Sequence, residues 1–253
     1  MKHHRFGTAV ALDDHLARAA RGADGMRIRP VLHEGKRYWV KRCETLSLRW
    51  RLQKGNPARR FARERAVFAE MIAKGAPVPK IVAEGPDWFA LPDCGDSLEA
   101  VFTQADGATR VRAFADAGTA MARLHALGLA HGRPHPRDLC WDGAQIRFLD
   151  FERGHAGRAG PWRQAFDVIQ MVFALHAMRL DGSDALDAFA TAYRTSDARG
   201  VWPGARRLCR RLRWLDPLTR AVQRHERLHK PHRRYKEWQA LPRTLAYFAA
   251  SSD

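Results

Sequence analysis

The pattern of apolar and polar positions changes character about a third of the way along the chain. Over residues 26–33 and 37–41, apolar and β-branched residues alternate with polar ones on either side of Glu34-Gly35-Lys36, which predicts two strands joined as a hairpin. Over residues 57–74, Phe61, Ala66, Phe68, Ala69 and Ile72 recur at helical spacing among charges. Gly75 ends that run, and Pro77 and Pro79 keep it from resuming. Residues 80–83 and 88–91 read as two further short strands, and the turn-rich Pro92-Asp93-Cys94-Gly95-Asp96 reads as a hinge. Beyond it the period becomes helical, with Val111, Phe114, Ala117, Met121 and Leu124 forming one apolar face that stops near Gly128. Residues 145–151 alternate once more like a strand behind the tight-turn pair Asp142-Gly143, and helices resume from about Trp162. The order predicts an α+β, two-lobed molecule, with a β-rich N-terminal lobe over residues 1–92 and a helical lobe over residues 93–253. No internal repeat or low-complexity linker separates them, so the expectation is one domain with an internal hinge.

A chain of 253 residues with 45% hydrophobic content can bury a real core. Its apolar runs fall short of the roughly 20 residues needed to cross a bilayer. The basic start MKHHRFGTAVALDD has too short an apolar stretch for a signal peptide before Asp13 and Asp14, so a cytoplasmic location is expected. Cys43, Cys94, Cys140 and Cys209 form no CxxC pair, which points away from a zinc or disulfide framework and toward reduced, mostly buried thiols. Charge changes the picture more. The formal net charge is +17, and about half of the excess lies beyond Val201, where thirteen Lys or Arg stand against four acids. That balance implies a polyanionic partner.

Chemistry concentrates in ordered motifs. Tyr38-Trp39-Val40-Lys41 ends an apolar strand on a lysine whose charge can meet phosphate while its stem packs on the sheet. Ala62-Arg63-Glu64-Arg65-Ala66 on the long helix offers Glu64 as a partner for that lysine, with Glu70 as the alternative, and Gly75-Ala76-Pro77-Val78-Pro79 follows. His131-Gly132-Arg133-Pro134-His135-Pro136-Arg137-Asp138-Leu139 precedes Leu149-Asp150-Phe151-Glu152. Finally, Asp167 lies in an otherwise apolar helical stretch, where a carboxylate needs buried donors.

These motifs, in this order, resemble the protein-kinase-like superfamily. Within it they resemble the compact bacterial kinases that phosphorylate lipopolysaccharide core sugars (Kdo or heptose), together with RIO-type kinases. The resemblance covers residues 26–175. It implies ATP and Mg²⁺ bound between the lobes, with Lys41 on the phosphates, Glu64 orienting it, and Leu91 and Asp93 contacting the nucleotide at the hinge. It also implies that Asp150 and Asp138 are the metal ligands and that Asp167 braces the catalytic loop. Arg137-Asp138-Leu139 spells a familiar catalytic triplet, yet Asp138 stands twelve residues before Asp150, the spacing of the second metal ligand rather than of the base. That register puts Arg133 where the family has its catalytic aspartate, and a guanidinium cannot accept a proton. His135 is the candidate substitute base, and Arg133 the candidate contact to the γ-phosphate or to an anionic acceptor. No Gly-x-Gly-x-x-Gly loop precedes Lys41, and Arg21-Gly22-Ala23-Asp24-Gly25 substitutes for it poorly.

The leading expectation is therefore an ATP-dependent phosphotransferase acting on a sugar or glycolipid hydroxyl at the cytoplasmic membrane face. In that reading residues 201–236 make peripheral contact with anionic lipid. The alternatives are a nucleotide-binding pseudokinase with a scaffold role, suggested by Arg133, and a nucleic-acid-binding protein stacking bases on Trp202, Trp214 and Trp238. A second basic cluster, Arg49, Arg51, Lys54, Arg59, Arg60 and Arg63, reads as a solvated face or as part of the cleft rim.

Overall fold

A computed structural model of the chain describes residues 6–22, 26–44, 56–151, 157–178, 184–229 and 236–250. The N-terminal lobe is an antiparallel sheet held between two helices. Its strands β1 (Ile28–His33), β2 (Lys36–Arg42), β3 (Ala83–Glu84) and β4 (Trp88–Pro92) lie in the order β1-β2-β4-β3. Glu34 and Gly35 both take positive φ, 48° and 74°, as a two-residue hairpin turn between right-twisting strands requires. The first helix, α1 (Phe6–Ala20), packs on one face of the sheet, where Leu16 meets Val31, Val40 and Ala90. The second, α2 (Pro57–Ala73), starts at Asn56, whose side chain accepts from Ala58 N, and covers the other face with Phe61 and Phe68 against Phe89. Because side chains alternate along a strand, β4 sends Trp88 and Ala90 to α1, and Phe89 and Leu91 to α2.

The C-terminal lobe begins with a second, three-stranded sheet: β5 (Asp96–Ser97), β6 (Leu139–Trp141) and β7 (Ile146–Phe148). The short α3 (Leu98–Gln104) and long α4 (Gly107–Ala126) follow β5, and α5 (Pro161–Ala177), α6 (Asp184–Ser196), α7 (Val201–Arg211), α8 (Leu215–His229) and α9 (Lys236–Ala250) complete the lobe. Helices α4 and α6 approach so closely that a Cβ on Gly118 would collide with the Phe189 carbonyl. A continuous apolar core runs from Phe61 and Phe89 through Phe148 and Phe151 to Trp202 and Phe248. The lobes also meet through backbone, Phe148 N donating to Pro77 O at 2.9 Å. The molecule is thus an α+β, two-lobed, protein-kinase-like fold, with a small β-rich lobe and a helical lobe.

Several sequence expectations shift here. The strand expected over residues 80–83 survives only as Ala83–Glu84, because Val82 N bonds Ala90 O while the preceding residues stay outside the ladder. The strand expected over 145–151 is Ile146–Phe148, and its partner Leu139–Trp141 had no alternation long enough to show. Helix α1 was not anticipated. Of the thiols, Cys140 and Cys209 are buried, and Cys43 and Cys94 only half-buried. Residues 23–25 and the basic Arg49, Arg51 and Lys54 lie outside the described residues.

Candidate active site

A cleft of about 440 Å³ opens between the lobes. Strand β2 supplies one wall. Arg37, Trp39 and Lys41 share its cleft face, while Val40, one residue out of phase, turns to α1. The Lys41 ammonium forms a tight ion pair with Glu64 Oε1, whose side chain is 1% exposed on the inner face of α2. Glu70 does not take that role, since its carboxylate pairs with Lys74 at 2.6 Å and accepts from Gly157 N at 2.7 Å. From the other lobe comes Asp150, with Oδ1 3.6 Å from the Lys41 ammonium.

The second sheet delivers both aspartates to this cleft. Leu139 faces Phe148 in the β6–β7 register, and Leu149 N donates to Asp138 O at 2.8 Å, so Asp138 and Asp150 emerge at the same end of the hairpin. The turn at the far end is closed by Asp142, whose Oδ1 accepts from Ala144 N and Gln145 N. Burial, with the Asp150 charge second, pushes the Asp138 carboxyl up to about 6. Asp150 adopts φ 58°, the left-handed region that aspartate tolerates better than most residues. Its Oδ1 is buried and, among the described residues, accepts no hydrogen bond. Two carboxylates, one oxygen of which lacks a donor, suit a hard cation. Mg²⁺ is commonly held by one or two carboxylates plus substrate phosphates. Among the described residues no group of three or more potential metal-ligating side chains gathers.

The loop before β6 is tied down from beneath. Asp167, 0% exposed on α5, accepts from His131 N at 2.5 Å and Gly132 N at 2.8 Å. Its Oδ2 also lies 3.4 Å from His125 Nε2, and His125 Nδ1 meets the Tyr193 hydroxyl at 2.7 Å. His131 Nε2 donates to Leu149 O at 2.8 Å, and burial holds the imidazole below its ordinary pKa. Phe151 packs between His131 and Phe68, with ring centroids 4.8 and 5.1 Å away, so the residue after Asp150 ties the loop to α2.

Of the residues singled out from sequence, Lys41, Glu64, Leu91, Asp93, Asp138 and Asp150 line one cleft, whereas Arg133 and His135 are not part of its wall. His135 caps the 3₁₀ turn 136–138, its Nδ1 accepting from Arg137 N at 3.2 Å. Burial, then the charge of Arg137, holds its pKa below the ordinary value. The neutral tautomer that accepts on Nδ1 carries its proton on Nε2, which leaves no lone pair there to take another. Asp93 is a strut: its carboxylate accepts from Trp39 Nε1 at 2.9 Å and faces Arg37 at 3.6 Å, and its N–H donates to Arg37 O. Sequence reasoning passed over Arg37, Trp39 and Arg137 as lining residues. The period-two spacing of Arg37 and Trp39 with Lys41 carried the signal for the first two.

In the basic C-terminal region, α7 turns Val201, Trp202, Ala205 and Cys209 into the core. Trp202 is 3% exposed and packs on Phe248, so it is no stacking platform; Trp214 is 63% exposed, and the Trp238 side chain lies outside what is described. No helix among the described residues is long and apolar enough to cross a membrane.

The fold and the cleft define the class: a two-lobed α+β molecule with a charged cleft between its lobes. No family model matches the chain. It is 35% identical to an uncharacterized protein of Haemophilus influenzae over 138 residues, which are 54% of this chain and 57% of that protein, so the match spans little more than half of the relative. Among solved structures, the bifunctional kinase-methyltransferase WbdD aligns with 70% of this chain and 44% of its own, at 12% identity and a TM-score of 0.40.

Proposed function

We propose that the protein is an ATP-dependent phosphotransferase of lipopolysaccharide-kinase-like type, transferring phosphate to a sugar or glycolipid hydroxyl. One observation carries the reading: a partly buried Lys41–Glu64 pair from the small lobe converges with Asp150 from the large lobe across a single cleft. In it, Lys41 meets the α- and β-phosphates and Glu64 keeps its ammonium aimed. Leu91 forms the apolar hinge wall for the base. Asp138 and Asp150 hold Mg²⁺, which when bound neutralises the charge of the transferring phosphoryl group. The basic face beyond Val201 gathers an anionic acceptor at the cytoplasmic side of a membrane, with Arg210, Arg211 and the exposed Trp214 and Leu218 nearest the surface.

A second reading, a nucleotide-binding pseudokinase with a scaffold role, is favoured by Arg133 at the base position and by the engaged Nδ1 of His135. A missing base removes typically about 10²- to 10⁴-fold of rate and leaves positioning intact. The deciding experiment is a Mg²⁺-dependent ATP titration of wild type and Asp150→Ala, followed by phosphate transfer to purified core oligosaccharide. Binding lost in the variant together with acceptor-stimulated transfer supports the enzyme. Binding without transfer moves the protein to the second reading, and no binding in either protein rejects both.

A further inference from the structure

Apart from the interlobe cleft, a groove of about 850 Å³ opens on the helical lobe, between α6 and α7. On α7, Pro203, Arg206, Arg207 and Arg210 fall at i, i+3, i+4 and i+7, one helical face. On α6, Thr191, Arg194 and Thr195 fall at i, i+3 and i+4 and form the opposite wall. Four guanidiniums therefore line a concave surface with one carboxylate, that of Asp197. Asp197 is already engaged: Oδ2 accepts from Trp202 N at 2.7 Å and Oδ1 from Arg199 N at 3.2 Å. Its carboxylate is held at the start of α7, and on the α7 wall Arg207 and Arg210 present exposed guanidiniums to the groove.

We infer that this groove is a binding site for a phosphorylated polyol, a hydroxyl-rich molecule carrying more than one phosphate. Planar guanidiniums bind phosphate oxygens in pairs, and spacing along and across two helices suits several phosphates rather than one. The volume exceeds what a single inorganic phosphate fills. Thr191 and Thr195 add hydroxyls for the polyol. An acyl chain finds little wall, since among the described residues Trp202 and Pro203 are the only large apolar side chains lining the groove. A nucleic acid needs exposed rings for its bases, and Trp202 is 3% exposed, its ring turned onto Tyr193 and Phe248. The site stands independently of nucleotide binding, because none of its residues lines the interlobe cleft.

Isothermal titration of the full chain with inositol hexakisphosphate tests it, with glucose and inorganic phosphate as controls. Wild type should bind the hexakisphosphate at least tenfold more tightly than phosphate and leave glucose unbound. The exposed pair Arg207→Gln/Arg210→Gln should lose at least tenfold in Kd, while Arg123→Gln/Arg163→Gln, an equal loss of charge on α4 and α5, should stay within about twofold. Equal losses in both double variants would mean diffuse charge attraction and overturn the proposal, as would no binding at millimolar probe. An RNA oligonucleotide that binds more tightly, with the same dependence on Arg207 and Arg210, would reassign the groove to nucleic acid. Vesicles of anionic phosphoglycolipid that displace the probe identify a glycolipid headgroup as the source of the phosphates; vesicles that do not displace it identify a free polyol phosphate.

Discussion

Asp138 and Asp150 are held close in a partly dry cleft, and the cost of that arrangement is measurable. Burial, aided by the Asp150 charge, raises the Asp138 carboxyl from an ordinary 3.8 to about 6. A carboxyl whose folded pKa is raised binds its proton better in the folded state, so it favours folding fully below pH 3.8 and loses that contribution as pH rises through about 6. Asp138→Asn cannot ionise and escapes the loss. Between pH 4 and pH 7, in metal-free buffer, the unfolding free energy of Asp138→Asn should therefore gain on that of wild type by on the order of 1–3 kcal/mol. Denaturant titrations at the two pH values read the difference, and a constant offset would show that Asp138 titrates normally. On the proposed reading of the cleft, Mg²⁺ with nucleotide should narrow the gap by stabilising wild type more than the variant.

Asp167 is a buried carboxyl with its donors in place. It is 0% exposed and receives the N–H groups of His131 and Gly132. Asp167→Ala strands both donors, and a buried unsatisfied N–H costs about 1–3 kcal/mol each. Asp167→Asn keeps an acceptor oxygen for one N–H and should lose roughly half as much. The ranking wild type, Asn, Ala in urea midpoint checks this; equal stability of Asn and Ala would contradict it. The role was legible in the sequence because a lone acid inside an apolar helix must find buried donors to stay there. The strut formed by Asp93 with Trp39 and Arg37 was not legible, since neither strand pattern nor spacing reports a contact across 54 residues.

At the scale of elements, legibility followed the length of each pattern. The hairpin β1–β2, helix α2 and helix α4 carry enough repeats of period two or 3.6 to declare themselves. The three-residue strand β6 does not, β7 shows only as the centre of the longer alternation over 145–151, and Asp138 and Asp150 reach one cleft only through the register of the two. Helix α1 was not legible because Gly7 and Thr8 at its start are poor helix formers and alanine makes up much of its apolar content, so no strong apolar stripe stands out. The junction of α4 and α6 yields a prediction that helix propensity alone would get backwards. In a helix interior Gly→Ala ordinarily gains about 1 kcal/mol. At Gly118 the added methyl meets the Phe189 carbonyl and Tyr193 N, both backbone. Gly118→Ala should thus destabilise the protein by about 1–3 kcal/mol, the range for overpacking. Thermal unfolding decides the sign, and a raised Tm would refute the close approach.

For the whole molecule, stability divides unevenly between two clusters. One runs through both lobes from Phe61 to Phe248, and the other is the small group under α1, in which Leu16, Ala20, Val31, Val40, Trp88 and Ala90 cover the back of the first sheet. Elements that rest on few buried contacts open first, so α1 and β1 should exchange their amides well before α4 and α6. Leu16 is 0% exposed at the centre of the smaller cluster, and Leu16→Ala removes about 2–5 kcal/mol from it. In hydrogen-exchange mass spectrometry the substitution should speed exchange in β1 and β2 by at least tenfold while leaving α4 and α6 near their wild-type rates. Lys41 faces the cleft from the other side of the same strand, so the proposed nucleotide site carries a prediction of its own: Mg·ATP should slow the exchange of β2 again in that variant. Acceleration spread evenly over both lobes would mean that the two clusters unfold as one unit.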